Sequence, residues 1–367
     1  MRGRGSKAQW AEMPAEIMTA VFAIPGDITL PTGGYAYDRE VLARLPAAGV
    51  DVAHLELPCG YPDPSSEDLA RTAEQIAATP PGAVLLIDGL AYGAMPAELI
   101  ARFDRPIVAL VHHPLCLEAG VAPARVEELR ALETRALSMA RRVVVTSPMT
   151  ARTLAADFGV PAERIAVAEP GTDAAPRAKG SGRGGTLLAV GSIVPRKGYD
   201  VLVRALEIDA GERDPDWHLT IVGALDRSPH TVDALRDQIA RAGLGTRIEI
   251  AGPKSRAELD AFYDRADIFV LASHYEGYGM VLAEALARGL PIVTTTGGAA
   301  AETVPDAAAL KVPPGEPRVL QQALRRIMDD VALRGRLADA AWSAGQNLPR
   351  WSHTAATIAK VIEEARV

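Results

Sequence analysis

The chain has 367 residues, 48% of them hydrophobic and 23% charged, with a formal net charge of −7 at pH 7. That length allows two domains and that apolar content a sizeable core, which excludes a disordered or fibrous chain. Residues 1–176 carry 15 Lys and Arg against 22 Asp and Glu, and the remainder 24 of each; the first half is thus a poor partner for nucleic acid or an anionic bilayer, and a phosphate site is expected in the second.

Cys59 and Cys116 are too few for a disulfide framework, so a cytoplasmic protein is expected, with a peripheral place at the inner membrane left open. No apolar run approaches the roughly 20 residues of a spanning helix. The basic start, Met1 to Lys7, has no clean apolar stretch after it, so residues 1–17 are expected to be a disordered tail and not a signal peptide.

Along the chain, apolar runs alternate with helical patterns. Thr19 to Ile24 reads as the first strand, followed by a loop through Asp27 and the pair Gly33-Gly34 and then a helix from Arg39 to Leu45. Two adjacent glycines after a first strand let backbone approach a phosphate, but they lack the G-x-G-x-x-G of a dinucleotide site. Val50 to Leu57 is the next strand, and Ser66 to Ala77 a helix with Ser66 at its cap. Ala83 to Ile87 and Pro106 to Val111 are buried strands ending at Asp88-Gly89 and His112-His113-Pro114. Such alternation implies a parallel, doubly wound sheet, whose ligands gather at the carboxyl ends of the strands. Gly33-Gly34, Asp88, His112 and His113 all fall there, and Asp27, Asp88 and His113 are further candidates for the cleft. Metal binding by the two histidines is not expected, since no carboxylate at ligand spacing accompanies them.

Ala124 to Arg142 reads as an amphipathic helix whose wet face carries Glu127, Glu128, Arg130, Glu133 and Arg135. A strand at Val143 to Ser147 and another at Ile165 to Val167 lead to a Pro-Gly-Thr-Asp turn at 170–173, and residues 174–185 read as a linker. The second half starts afresh with Thr186 to Val190, then Gly191-Ser192 and Arg196-Lys197-Gly198 ahead of a helix from Asp200. Two cations beside a strand end and a helix start make a diphosphate clamp. Asp214-Pro-Asp216 matches a metal-binding D-x-D only superficially and reads as a turn before the strand His218 to Gly223. The strand Ile248 to Gly252 runs into Pro253-Lys254. Ile268 to Ala272 is a strand, followed by Glu276-Gly277-Tyr278-Gly279, then a helix from Met280-Val281 through Glu284 to Gly289. Strand, glycine loop and helix N-terminus form a ready site for anionic oxygens. Two carboxylates beside it suit a ligand that also carries sugar hydroxyls.

Glu276 and Glu284, in an E-x7-E spacing headed by Glu-Gly-Tyr-Gly, together with Gly191…Arg196-Lys197-Gly198 resemble the retaining glycosyltransferases of the GT-B fold, family 4 type. The resemblance runs in order from Gly33 to the last helix. It implies an α/β fold of two Rossmann-like, doubly wound parallel-sheet domains facing across a cleft: an acceptor domain over 18–175, a nucleotide-sugar donor domain over 176–345, and a C-terminal helix over 346–367 crossing back to the first. It implies retaining transfer of a sugar from a nucleotide-diphosphate sugar, UDP favoured and GDP next, to a hydroxyl acceptor, with no metal or other cofactor. His112, Arg196, Lys197 and Glu276 would be catalytic. Gly33, Gly34, Gly191, Ser192, Gly252, Pro253, Lys254, Gly277, Tyr278, Gly279, Met280, Val281 and Glu284 would hold donor and nucleotide. Where many members follow the histidine with Asp, this chain has His113, so that position's role is open. An epimerase or phosphorylase on the same frame, and a non-catalytic sugar-nucleotide binder, are the alternative readings. The sequence leaves acceptor and oligomeric state unassigned.

Overall fold

The computed structural model describes residues 19–212 and 216–366. The expected N-terminal tail and the start of the Asp214-Pro-Asp216 turn lie outside them. The chain forms two compact units, one running to Gly171 and taken up again from Arg350, the other Thr172–Pro349.

The first unit contains β1 (Thr19–Pro25), α1 (Gly33–Arg44), β2 (Asp51–Leu57), α2 (Ser66–Ala77), β3 (Val84–Asp88), α3 (Gly89–Tyr92), α4 (Ala97–Ile100), β4 (Ile107–Val111), α5 (Pro123–Met139), β5 (Arg142–Val145), α6 (Pro148–Asp157) and β6 (Ile165–Val167). Its six strands are parallel in the order β2-β1-β3-β4-β5-β6. Val84 to Asp88 and Ile107 to Val111 are buried along their whole length, as continuous apolar strands covered on both faces must be. The order reverses between β1 and β3, so the strand ends there face a natural crevice.

Four expectations are corrected in this unit. The first helix begins at Gly33, six residues before Arg39, because the Thr32 side chain accepts from the Tyr35 amide and caps it; the glycine pair is the helix's first turn and not a loop. Ser65, not Ser66, caps α2, closing a capping box with Asp68. The helix predicted to reach Arg142 stops at Met139, since Arg142 already belongs to β5. Glu133, expected on its wet face, is 1% exposed and accepts a hydrogen bond from the Leu115 amide at 2.9 Å.

The second unit contains β7 (Thr186–Val190), α7 (Tyr199–Glu212), β8 (His218–Val222), α8 (Pro229–Arg241), β9 (Ile248–Gly252), α9 (Arg256–Arg265), β10 (Ile268–Leu271), α10 (Met280–Ala287), β11 (Ile292–Thr295), α11 (Ala300–Thr303), β12 (Ala309–Val312), α12 (Pro317–Asp329) and α13 (Val331–Gly345). Its parallel strands run β12-β11-β10-β7-β8-β9, with the reversal between β7 and β10. The stretch expected to be a linker is strapped to this unit instead: Asp267 accepts from the amides of Ser181, Gly184 and Thr186. The last helix, α14 (Trp351–Arg366), belongs to the first unit, where it buries Trp351, Ile358, Val361 and Ile362. Among the described residues no helix is long and apolar enough to cross a membrane.

Candidate functional site

In the second unit the two segments singled out by sequence emerge on either side of the strand-order reversal. After β7 the chain enters a 3-10 turn, Pro195–Lys197, closed by Gly198 at φ 61°. A Cβ at Gly198 would stand 2.2 Å from the Ala272 carbonyl oxygen, and the His274 amide donates to the Arg196 carbonyl at 2.8 Å. Glycine is therefore required for the turn to lie directly on the loop that follows β10. That loop is fixed from its other side by the segment after β11. The Glu276 amide donates to Gly297 O, the Ala299 amide donates to Glu276 O, and a Cβ at Gly298 would meet Glu276 O at 2.3 Å.

These contacts bring together Arg196, Lys197 and Glu276, as the sequence predicts, but in an arrangement it does not show. Glu276 is 5% exposed and already engaged. Lys197 Nζ donates to its Oε1 at 2.6 Å, Ser273 Oγ donates to the same oxygen at 2.5 Å, and the Arg196 guanidinium lies 3.4 Å from Oε2. Arg196 also donates to Tyr275 O at 2.7 Å. Burial would raise the Glu276 carboxyl, yet Lys197 and then Arg196 overcome it and hold it down at about 2. Beyond the loop, Gly279 opens α10 at φ 87° with no side-chain cap, so the first amides, those of Met280 and Val281, present the positive end of the helix.

Glu284 sits one turn into α10, where the buried Tyr263 hydroxyl donates to its Oε2 at 2.9 Å and Arg256 stands 3.7 Å from Oε1. Gly191 follows β7, its carbonyl accepting from Tyr199 Oη, with Ser192 next to it. Gly252 ends β9, and Pro253-Lys254 lead to the Ser255 cap of α9. Gly277 lies in the loop itself, while the Tyr278 side chain is 6% exposed, part of the packing.

In the first unit His112 follows β4. Its Nε2 lies 3.2 Å from Asp38 Oδ1 and 3.2 Å from Asp88 Oδ2. Asp88 ends β3 and caps α3 through its other oxygen, accepting from the Leu90 amide. Gly34 passes against the ring, where a Cβ would stand 3.4 Å from His112 Cδ2; Gly33 faces open space. The three ligand-capable groups lie within 4.8 Å of one another, spacing that would admit a cation; the sequence-based ground against a metal, that no carboxylate accompanies the histidines, fails because both carboxylates arrive from distant segments. His113 turns to Glu118 at 3.1 Å, and Asp27 accepts from the Thr29 amide and hydroxyl within its own turn.

The family model described as Glycosyl transferase 4-like domain matches residues 11–171, and that described as Glycosyl transferases group 1 matches residues 174–343. The D-inositol 3-phosphate glycosyltransferase of Paenarthrobacter aurescens is 30% identical over 293 residues, 74% of this chain and 70% of that protein. This chain belongs to the group 1 glycosyltransferases. The enzyme of the same name from Thermobispora bispora is 31% identical over 252 residues, 64% of this chain, and the match spans only 58% of that relative. Among solved structures, Anabaena HepE in complex with UDP-glucose has the same fold, with a TM-score of 0.71 at 17% identity over 94% of this chain and 99% of its own. In this group 1 glycosyltransferase the sequence did not point to Asp38, Ser273 or Tyr263. The one signal it held was for Ser273, three residues before Glu276 at a strand end.

Proposed function

We propose that this chain is a retaining glycosyltransferase that moves a hexosyl group from a nucleotide-diphosphate sugar, UDP favoured, to a hydroxyl acceptor without a metal. One observation carries the reading: a buried, ionised Glu276 clasped by Lys197 and Arg196 beside the uncapped start of α10. The turn that carries both cations is held by a backbone contact to the carboxylate's own loop, so charge and position are set before a ligand arrives. A diphosphate would draw Lys197 from Glu276 while Arg196 and Ser273 stay beside the carboxylate, which would then accept hydrogen bonds from the sugar's hydroxyls.

As the bond to the sugar breaks, negative charge grows on the leaving diphosphate. Arg196, Lys197 and the amides of Met280 and Val281 supply the compensating positive field. Glu284, its rotamer held by Tyr263, would take the ribose diol, with Gly252 to Lys254 beside the base, and His112 would contact the sugar. Glu276, with Ser273, Arg196 and the sugar's hydroxyls about it, would serve as an acceptor of hydrogen bonds and not as a nucleophile, which favours attack from the face that the diphosphate leaves, with a phosphate oxygen taking the acceptor's proton. The UDP-glucose bound by HepE supports the choice of UDP.

Thermal shift of the purified chain against UDP-, GDP- and ADP-sugars, each with and without EDTA, tests the donor. Donor at 100 times Kd should stabilise by about 2.7 kcal/mol, a shift of several degrees. Lys197→Ala and Glu276→Ala should each lower turnover at least about tenfold. An unshifted melting curve with every donor, or near-normal turnover in both variants, would remove the assignment.

A further inference from the structure

We propose that Asp38 and Asp88 are positioning residues that clamp His112 as an imidazolium, leaving its Nδ1–H as a donor aimed at a neutral hydroxyl oxygen. The inference rests on the reading that His112 touches a sugar, and it adds how that contact is made. Three elements converge to make the clamp: α1 brings Asp38, the end of β3 brings Asp88, and the end of β4 brings His112. Both aspartates are buried, at 0% and 2% exposure, while the His112 side chain is 21% exposed.

Both carboxylates address the same ring nitrogen, at 3.2 Å each. Two carboxylate oxygens cannot share one side of Nε2 unless it bears a proton, so Nε2 donates to Asp38 Oδ1, with Asp88 Oδ2 a second negative neighbour at the same distance. A neutral ring would then be fixed with Nδ1 bare, whereas two buried negative neighbours favour the second proton. Among the described residues nothing hydrogen-bonds Nδ1. The ring is bordered by the backbone of Gly34, where an added Cβ would stand 3.4 Å from Cδ2, and by Tyr37, which meets it edge to face at 5.2 Å. Burial pulls the imidazole down, but Asp38 and Asp88 together lift it to about 10. The titratable groups facing it are Asp38 and Tyr37 from α1 and Asp88 from β3; its neighbour His113 is turned to Glu118.

Charge decides the class of ligand. With both aspartates ionised, an imidazolium between them sums to −1, and with Asp38 protonated to zero; neither state attracts a phosphate or carboxylate group, and neither repels a hydroxyl. Asp38 Oδ2 is buried without a hydrogen-bond partner, and Asp38 is raised to about 7, by burial first. The cationic His112 is the neighbour that works against this rise and favours the ionised Asp38.

The experiment follows the His112 ring nitrogens by NMR in full-length protein labelled with 15N-histidine, the resonance assigned by its loss in His112→Gln. Wild type should keep both nitrogens protonated at pH 8.5, about two units above an ordinary histidine. Asp38→Asn and Asp88→Asn, which preserve shape, should each lower the midpoint by at least about one unit. Asp38→Asn should also lower kcat at least about tenfold while the donor KM stays within about threefold. A neutral His112 at pH 7.5 in wild type would overturn the clamp, as would midpoints unmoved in both variants. Micromolar Mn2+ that broadened the His112 signals at one equivalent would overturn it too, in favour of a cation between the three groups. The NMR result stands whether or not any donor supports turnover, so failure of the clamp and failure of the glycosyltransferase reading are told apart.

Discussion

Glu276 shows how a single side chain can be both a liability for stability and prepared for chemistry. Its carboxylate is buried, so its ionisation depends on Lys197 and Arg196. Because its folded-state pKa is depressed, the pair's stabilisation is present above the ordinary carboxylate value of 4.5 and is lost as pH falls towards about 2. Lys197→Met removes the nearest cation and leaves a buried carboxylate with less support, which should cost about 3 kcal/mol at pH 7. In that variant Glu276 titrates higher, so its deficit against wild type should narrow as pH falls from 7 towards 4. Adding Glu276→Gln should restore much of the lost stability, because no uncompensated charge remains. Urea melts of the three proteins at pH 4, 5.5 and 7 measure this; a pH-independent deficit would show that the loss is packing alone. Arg196, Lys197 and Glu276 were legible in the sequence because cation and carboxylate types at strand ends announce themselves. Their mutual pairing was not, since it joins positions 79 residues apart. Asp38 was hidden more deeply: a lone acid on a helix reads as solvated unless the partner, 74 residues away, is known.

Elements behaved according to their ends. Apolar strands such as Thr186 to Val190 stand where the sequence sets them, because a run buried on both faces has no other way to satisfy its backbone. Helix starts were harder to place, since a cap is one hydroxyl among several, as with Thr32 and Ser65. Two glycine substitutions separate the two uses of glycine in this fold. Gly33 is in the first turn of α1 with nothing within 4 Å of a Cβ, so Gly33→Ala should stabilise by up to about 1 kcal/mol through helix propensity and chain entropy. Gly298 has φ 62° and its Cβ would sit 2.3 Å from Glu276 O. Gly298→Ala should therefore cost upwards of about 2 kcal/mol, and displace the Glu276 loop, so that turnover falls with stability. Thermal unfolding of both variants, read beside initial rates, checks the contrast. Equal melting temperatures would show that the segment after β11 yields without moving Glu276.

At the scale of the whole chain, sequence order and structural membership part company at the C-terminus. The second unit is one uninterrupted stretch, Thr172–Pro349, with its own apolar cores, whereas the first needs residues from both ends of the chain. In the first unit α14 buries Trp351, Ile358, Val361 and Ile362. At about 1.5–3 kcal/mol per large buried apolar side chain, those four account for about 6–12 kcal/mol, as much as a whole domain's usual margin of about 5–15 kcal/mol. A chain ending at Pro349 should accordingly lose the first unit's unfolding transition and expose its sheet, while the second unit's transition survives. The fragment 172–349 should fold alone, unfold cooperatively, and keep whatever nucleotide-sugar binding the full chain shows, since Arg196, Lys197, Glu276 and Glu284 all lie within it. Supplying residues 350–367 as a separate peptide to the fragment 1–171 should restore the first unit's helical signal and its cooperative melt, because α14 makes its buried contacts with that unit by packing, and the covalent route through the second unit adds only effective concentration. Calorimetry on the three fragments decides it. A fragment 1–171 that melted cooperatively without the peptide would show that α14 caps a unit already able to stand by itself.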